Sequence, residues 1–133
     1  MRILLIDDEV HIGNLVVDEL RERFHDATFM VNPASVEAFL EILETRLPEA
    51  LVVDYNMPIK GTVFYQSARS WCRATKRRLA VVLYTKYGPG SHEYGEMLRS
   101  GLHATQIVRK VNGAEDVERI LGEIELQRAG FAA

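Results

Sequence analysis

The chain has 133 residues, with 16 Lys plus Arg against 19 Asp plus Glu for a net charge of -3, and 47% hydrophobic residues. That is enough chain for one globular domain with its own core, and the composition excludes disordered, collagen-like and disulfide-scaffold classes. A lone cysteine, Cys72, suits a reducing compartment, and no apolar run approaches the ~18 residues of a membrane span, so a cytoplasmic protein without membrane attachment is expected.

Arg2 to Ile6 sets four apolar residues behind a polar one, too short for a helix and right for a strand buried on both faces. Ile12, Val16, Leu20 and Phe24 follow at helical steps of four. Ala27 to Val31 is a mixed strand candidate, and Asn32-Pro33 is a turn before a helix carrying Val36, Leu40, Leu43 and Leu47. After Pro48, Ala50 to Val53 repeats the buried-strand pattern, and Pro58 and Gly61 punctuate the loop beyond it. Phe64, Ala68 and Trp71 predict a third helix, on which Cys72 is core filler. Leu79 to Leu83 is a strand followed by Gly88-Pro89-Gly90, Met97 and Leu98 belong to a fourth helix, and Ile107-Val108 is a short strand. Val117, Ile120, Leu121 and Ile124 predict the last helix.

Strand and helix thus alternate five times, which requires a parallel sheet covered by helices on both faces, because right-handed crossovers carry each helix back over the sheet. The expected fold is a doubly wound α/β domain, flavodoxin-like (βα)5, with strand order 2-1-3-4-5. A single domain over residues 1–133 is expected, with a core of about 2–126, a short tail from Gln127 to Ala133, and no output domain.

Charge is unevenly placed. Residues 1–61 carry 5 basic and 12 acidic side chains, whereas residues 62–91 carry six bases (Arg69, Arg73, Lys76, Arg77, Arg78 and Lys86) and no acid. Without interleaved aromatics or a recognition helix, Lys76-Arg77-Arg78 reads as a solvated loop, and no direct nucleic-acid binding is expected.

In open α/β sheets ligands sit beyond the carboxyl ends of the strands. The first strand runs into Asp7-Asp8-Glu9, the third into Asp54 and the fourth into Thr85. Asp7, Asp8 and Glu9 could simply cap the helix that follows, Asp54 could be a turn residue before Met57-Pro58, and Thr85 could be a strand-end hydroxyl. Three carboxylates converging at the switch point repel one another, however, and a divalent cation resolves that conflict. His11, His25, His92 and His103 have no metal-ligand spacing.

Ile-Asp-Asp-Glu at 6–9, Val-Val-Asp-Tyr-Asn-Met-Pro at 52–58, Thr85 and Lys110 together resemble the receiver domain of bacterial response regulators, over nearly the whole chain. The resemblance implies a signalling switch in which Asp54 accepts a phosphoryl group from a histidine kinase or phosphotransfer protein. It implies Mg²⁺ held by Asp7 or Asp8, Asp54 and the Asn56 carbonyl, with Thr85 on a phosphoryl oxygen and a lysine beside the phosphoaspartate. A downstream protein or a second copy would meet the last two helices and the fifth strand.

The sequence departs from that pattern in places. Only Ile59 and Lys60 separate Pro58 from Gly61, one residue fewer than receivers usually have. Val111 follows Lys110 where proline is usual, and Ile107 stands where receivers carry a switch aromatic; Tyr84, Tyr87 and Tyr94 could replace it or could pack. Either Arg109 or Lys110 could enter the site, Lys110 being favoured because Ala114 to Leu121 then aligns without a gap. Lys86 and Tyr87, directly after Thr85, are bulky and are expected to bear on how readily water reaches the phosphorus. Two rival readings are a receiver-like interaction module that is not phosphorylated and a metal-dependent phosphohydrolase of the haloacid dehalogenase type. The latter wants Asp-x-Asp, and Glu9 stands at the third position.

Overall fold

Every apolar run named above becomes a strand in the computed structural model, which describes residues 1–132. In chain order the elements are β1 (Arg2–Asp7), α1 (Val10–Glu22), β2 (Asp26–Val31), α2 (Val36–Arg46), β3 (Ala50–Val53), α3 (Gly61–Thr75), β4 (Ala80–Thr85), α4 (His92–Arg99), β5 (Ile107–Arg109) and α5 (Val117–Ala132). Single 3₁₀ turns at Ala104–Gln106 and Ala114–Asp116 precede β5 and α5. The five strands form one parallel sheet of order β2-β1-β3-β4-β5, the expected flavodoxin-like arrangement.

Successive strand residues point to opposite faces, and the sheet sorts its side chains accordingly. Leu4, Ile6, Leu51, Val53, Val81 and Leu83 face one core with Phe39 and Leu43 of α2, Phe64, Ala68 and Trp71 of α3, and Met97 of α4. Ile3, Leu5, Val52, Val82 and Tyr84 face the other, with Val16, Val17 and Leu20 of α1 and Val117, Ile120, Leu121 and Ile124 of α5. Burial of this many aliphatic chains, at roughly 25 cal/mol per Å² of apolar surface, is what holds the two helical layers to the sheet.

Three boundaries differ from the sequence reading. The α1 series ends early: Phe24 lies beyond the helix with φ 67° and is 95% exposed, because Arg23 and Phe24 turn the chain back and His25 N–H bonds to Leu20 O. On α2 the buried residues are Phe39 and Leu43, since the Phe39 ring packs on Phe64 with centroids 4.8 Å apart; Leu47 is instead the left-handed cap, φ 46°. The stretch from Gln127, expected as a tail, continues α5. Gln127 explains why: its side chain takes Val81 N–H at 2.9 Å and donates to Val81 O at 2.8 Å, and Arg128 pairs with Glu49 at 3.0 Å. β5 is too short to reach that part of β4, so a side-chain amide supplies the missing backbone partner.

Candidate functional site

β1 and β3 are neighbours in register, Ile6 opposite Val53, and Asp54 N–H bonds to Ile6 O at 2.9 Å. Asp7 and Asp54 therefore leave the sheet side by side, Asp7 wholly buried and Asp54 3% exposed. The loop beyond Asp54 is short and tight. Gly61 N–H returns to Tyr55 O at 3.0 Å and opens α3 against the Asp54 carbonyl, with which any Cβ at residue 61 would collide. That close approach is how a loop one residue short still closes, and it accounts for glycine at this position.

The fifth strand delivers the cation. Thr85 pairs with Arg109, and Lys110 N–H bonds to Thr85 O at 2.7 Å, so the next side chain re-enters over the sheet end. Lys110 Nζ lies 2.8 Å from Asp7 Oδ2, 3.2 Å from Glu9 Oε1 and 3.5 Å from Asp54 Oδ2. The choice between Arg109 and Lys110 resolves to Lys110. Arg109 is exposed, and its guanidinium lies over Gly88.

Capping does not explain the acidic run. Glu9 is the N-cap residue of α1 and its carboxylate makes no capping bond; Asp7 Oδ1 accepts from Glu9 N–H at 2.9 Å, which shapes the turn. Carboxylate oxygens of Asp7, Asp8, Glu9 and Asp54 all lie within 4.8 Å of one another. Glu9 completes a cluster in which the sequence had counted only three acids; its adjacency to Asp8 was the signal available.

The electrostatics follow from that crowding. Burial, the charge of Asp7 and a hydrogen bond with Asp8 push Asp54 up to about 7, against the pull of Lys110 and Asn56 N–H. Burial likewise raises Asp7, although Lys110 and Glu9 N–H oppose it. For Lys110, burial disfavours the ammonium, but the bond to Asp7 and the charges of Asp54 and Asp7 outweigh it and hold its pKa above the ordinary value. One cation thus faces four acids.

A hard divalent cation fits this donor set. Such ions take carboxylate and carbonyl oxygens, and four carboxylates within 4.8 Å of one another face the single ammonium of Lys110, which leaves negative charge for an ion to balance. Asn56 is exposed at the mouth of the cluster, two residues beyond Asp54.

Thr85 is fully buried at the end of β4, and its Oγ1 accepts from Tyr87 N–H at 3.3 Å. Among the described residues no hydrogen bond joins it to a carboxylate. Tyr87 turns its ring edge to Tyr55, centroids 5.8 Å apart, and the exposed Lys86 places Nζ 5.6 Å from the Tyr87 ring. Neither side chain makes an ion pair or hydrogen bond with the acidic cluster among the described residues.

Tyr84 and Asp116 form a support that the sequence did not single out as such. Tyr84 shares the sheet face of Asp7 and Asp54, its ring lies 5.3 Å from Lys110 Nζ, and its hydroxyl donates to Asp116 Oδ2. The same oxygen accepts from Val111, Asn112 and Gly113 N–H at 2.9, 3.3 and 3.1 Å, while Arg119 holds Oδ1 at 2.6 Å. Where a proline would stiffen the chain after Lys110, one buried carboxylate gathers three successive backbone donors. Burial alone would raise the Asp116 carboxyl, but the Tyr84 hydroxyl, with the Val111 and Gly113 N–H groups and Arg119, holds it below its usual range.

No family model and no curated protein matches the sequence. Solved structures do match. The receiver domain of a modulated diguanylate cyclase from Desulfovibrio desulfuricans G20 is 14% identical, with a TM-score of 0.72 and 97% of each chain covered. A response regulator receiver domain from Clostridium thermocellum is 21% identical, TM-score 0.69, covering 96% of this chain and 97% of its own. The chemotaxis response regulator CheY4 of Vibrio cholerae is 20% identical, TM-score 0.70, covering 92% and 97%. These likenesses span nearly the whole chain at low identity, and they show that its fold is that of response regulator receiver domains.

Proposed function

We propose that the protein is a phosphorylation-activated signalling switch: Asp54 accepts a phosphoryl group from a histidine kinase or phosphotransfer protein, and the product changes partner binding. The observation that carries this reading is the meeting of Asp54 with Asp7, Asp8, Glu9 and Lys110 at the carboxyl end of the sheet.

An Asp54 oxygen forms a bond to phosphorus as the phosphorus–nitrogen bond of the donor histidine breaks, leaving the imidazole as the departing group and an acyl phosphate on the protein. Asp54 must be ionised to attack, and its burial and the charge of Asp7 oppose that ionisation. Asp7, Asp8, Asp54 and the Asn56 carbonyl would hold Mg²⁺, which supplies charge neutralisation of the carboxylates and the incoming phosphoryl oxygens. Lys110 is already placed to pair with the phosphoryl group once Asp54 is esterified. The Thr85 hydroxyl, whose oxygen accepts from Tyr87 N–H, would then donate to a phosphoryl oxygen, carrying the change into the β4–α4 loop. The output surface is the one formed by α4, β5 and α5, and the switch works in the cytoplasm.

The test is incubation with a small phosphodonor and Mg²⁺, read by intact mass. Wild type gains one phosphoryl group and Asp54→Asn gains none while keeping its fold. Labelling that persists at another residue overturns the assignment, and absence of any labelling favours the interaction module. Multiple turnover of the donor, far beyond one equivalent and without a stable adduct, would favour the hydrolase.

A further inference from the structure

Far from the acidic cluster, α3, the loop Lys76–Leu79 and the end of α5 enclose a cleft of about 450 Å³, within the size range of small-ligand sites. Five cations line it: Arg69, Arg73, Lys76, Arg77 and Arg78. No Asp or Glu lines it, and among the described residues none of the five makes an ion pair or a side-chain hydrogen bond. Elsewhere among the described residues Arg2, Arg23, Arg119 and Arg128 each face a carboxylate, and Arg46, Arg99 and Arg109 stand unpaired singly; the cleft is where unpaired cations gather in one concavity. Glu49, the acid beyond Arg78, is already engaged by Arg128 at 3.0 Å and Arg2 at 3.7 Å.

Favourable interaction with the C-terminal end of α3 accounts for cations in its last turn and cap, but that effect is weak and confined to one turn. It does not reach Arg69, two turns back, nor does it explain the floor. Beneath the charges lie Ala68, Leu79 and Val81, with Cys72 and the Phe131 ring at the sides. Two guanidinium groups lie near aromatic rings, Arg69 with Cζ 5.6 Å from the Tyr65 ring centroid and Arg78 with Cζ 5.6 Å from that of Phe131. A cation–π contact engages a guanidinium without using its N–H donors, which can take phosphate two bonds at a time. The amides in the cleft are engaged: Gln127 Nε2 donates to Val81 O and Glu123 Oε2, and Gln106 Nε2 gives one of its two N–H donors to Val81 O.

We infer that this cleft is a second ligand site, for a small organic polyphosphate, with phosphate oxygens on the arginine forks and an apolar ring against the Ala68–Leu79–Phe131 floor. Mutual repulsion among five unpaired cations is what the ligand relieves. The limited volume of the cleft suits a nucleotide, and the apolar floor favours an organic phosphate over a bare one. The site is independent of the phosphoacceptor reading and stands on other residues.

The experiment is calorimetric titration of the whole chain in EDTA, so that no divalent ion bridges nucleotide to the acidic cluster. The probes are ADP, adenosine, inorganic triphosphate and a short oligothymidylate. ADP is expected to bind saturably and more tightly than either triphosphate or adenosine, with affinity falling as salt rises. Arg73→Ser with Arg77→Ser, both exposed positions, should weaken ADP at least about tenfold at unchanged melting temperature, and Asp54→Asn should bind ADP as wild type does. Absence of saturable ADP binding, or an unaffected double variant, overturns the site. Triphosphate equal to ADP overturns the role of the floor, and oligothymidylate much tighter than ADP shows a nucleic-acid surface instead.

Discussion

The Lys110 ammonium and the Asp7 carboxylate form a 2.8 Å ion pair in which Asp7 is wholly buried and the Lys110 side chain is 8% exposed. This pair supplies part of the countercharge that the acidic run demands. Because one cation balances one acid and leaves an excess, the pair and a divalent ion are complementary.

Removing the cation should therefore be costly. Lys110→Met leaves Asp7 buried without its partner, and loss of one member of a buried pair costs on the order of 3–5 kcal/mol. Thermal denaturation in EDTA should show a markedly lower midpoint, and Mg²⁺ should recover much of the difference. A midpoint unchanged from wild type in EDTA would show that the pair contributes nothing.

Relief of repulsion should come from the exposed acid. Asp8 is exposed, lies outside the Lys110 pairing and has a carboxylate oxygen within 4.8 Å of those of Asp7, Glu9 and Asp54, so Asp8→Asn should raise stability in EDTA by ~0.5–1 kcal/mol and weaken the Mg²⁺-dependent shift. Asp7→Asn should not stabilise, because it dismantles the ion pair. The comparison is two melting curves per variant, with and without Mg²⁺, and equal stabilisation by both substitutions would contradict it.

The pH dependence has a definite sign. Asp54 is raised from 3.8 to about 7, so the folded state binds more protons than the unfolded state between those values. Stability in EDTA should fall as pH rises from about 4 to about 7 through this group, the reverse of the usual paired carboxylate. Asp116 acts in the opposite sense: its depressed pKa gives stability above the unfolded value that is lost as pH falls through the folded one. Asp7, also raised, adds to the same limb. Urea denaturation across that range should show a smaller downward limb in Asp54→Asn and in wild type with Mg²⁺; a limb undiminished in Asp54→Asn would exclude Asp54 as a source.

The support beneath Lys110 can be probed without touching an acid. Tyr84→Phe removes one hydroxyl from Asp116 and should cost ~1–2 kcal/mol, the range for losing a hydrogen bond to a buried charged group. Amide exchange should quicken at Val111 to Gly113, whose N–H groups share the Asp116 oxygen. Exchange confined to other segments would place the role of Tyr84 elsewhere.

Much of this was written in the sequence because buried parallel strands are short apolar runs that nothing else in a small domain resembles. Ala50 to Val53 is such a run, and the acid directly after it had to fall at the ligand end of the sheet. Asp7, Asp8 and Asp54 were legible as strand-end acids for that reason, whereas Lys110 was reached through the resemblance alone. Glu9 was harder, since a helix-opening glutamate has a sufficient local explanation. Asp116 was invisible because its role depends on Tyr84, 32 residues away, and on a backbone turn that no spacing announces. Phe24 misled because a step of four continues past the residue at which the backbone turns.

The Gln127 side chain on Val81 has one more consequence. Below Leu83 the outer margin of β4 has no β5 beside it, and an uncovered strand margin is a template on which any extended chain can add itself. By occupying both Val81 groups, Gln127 plugs that template with a residue that cannot propagate a ladder. The last turns of α5 are thus a guard against edge-on self-association, and a chain cut after Leu126 would be prone to stack through β4 into aggregates even where its switch chemistry survived.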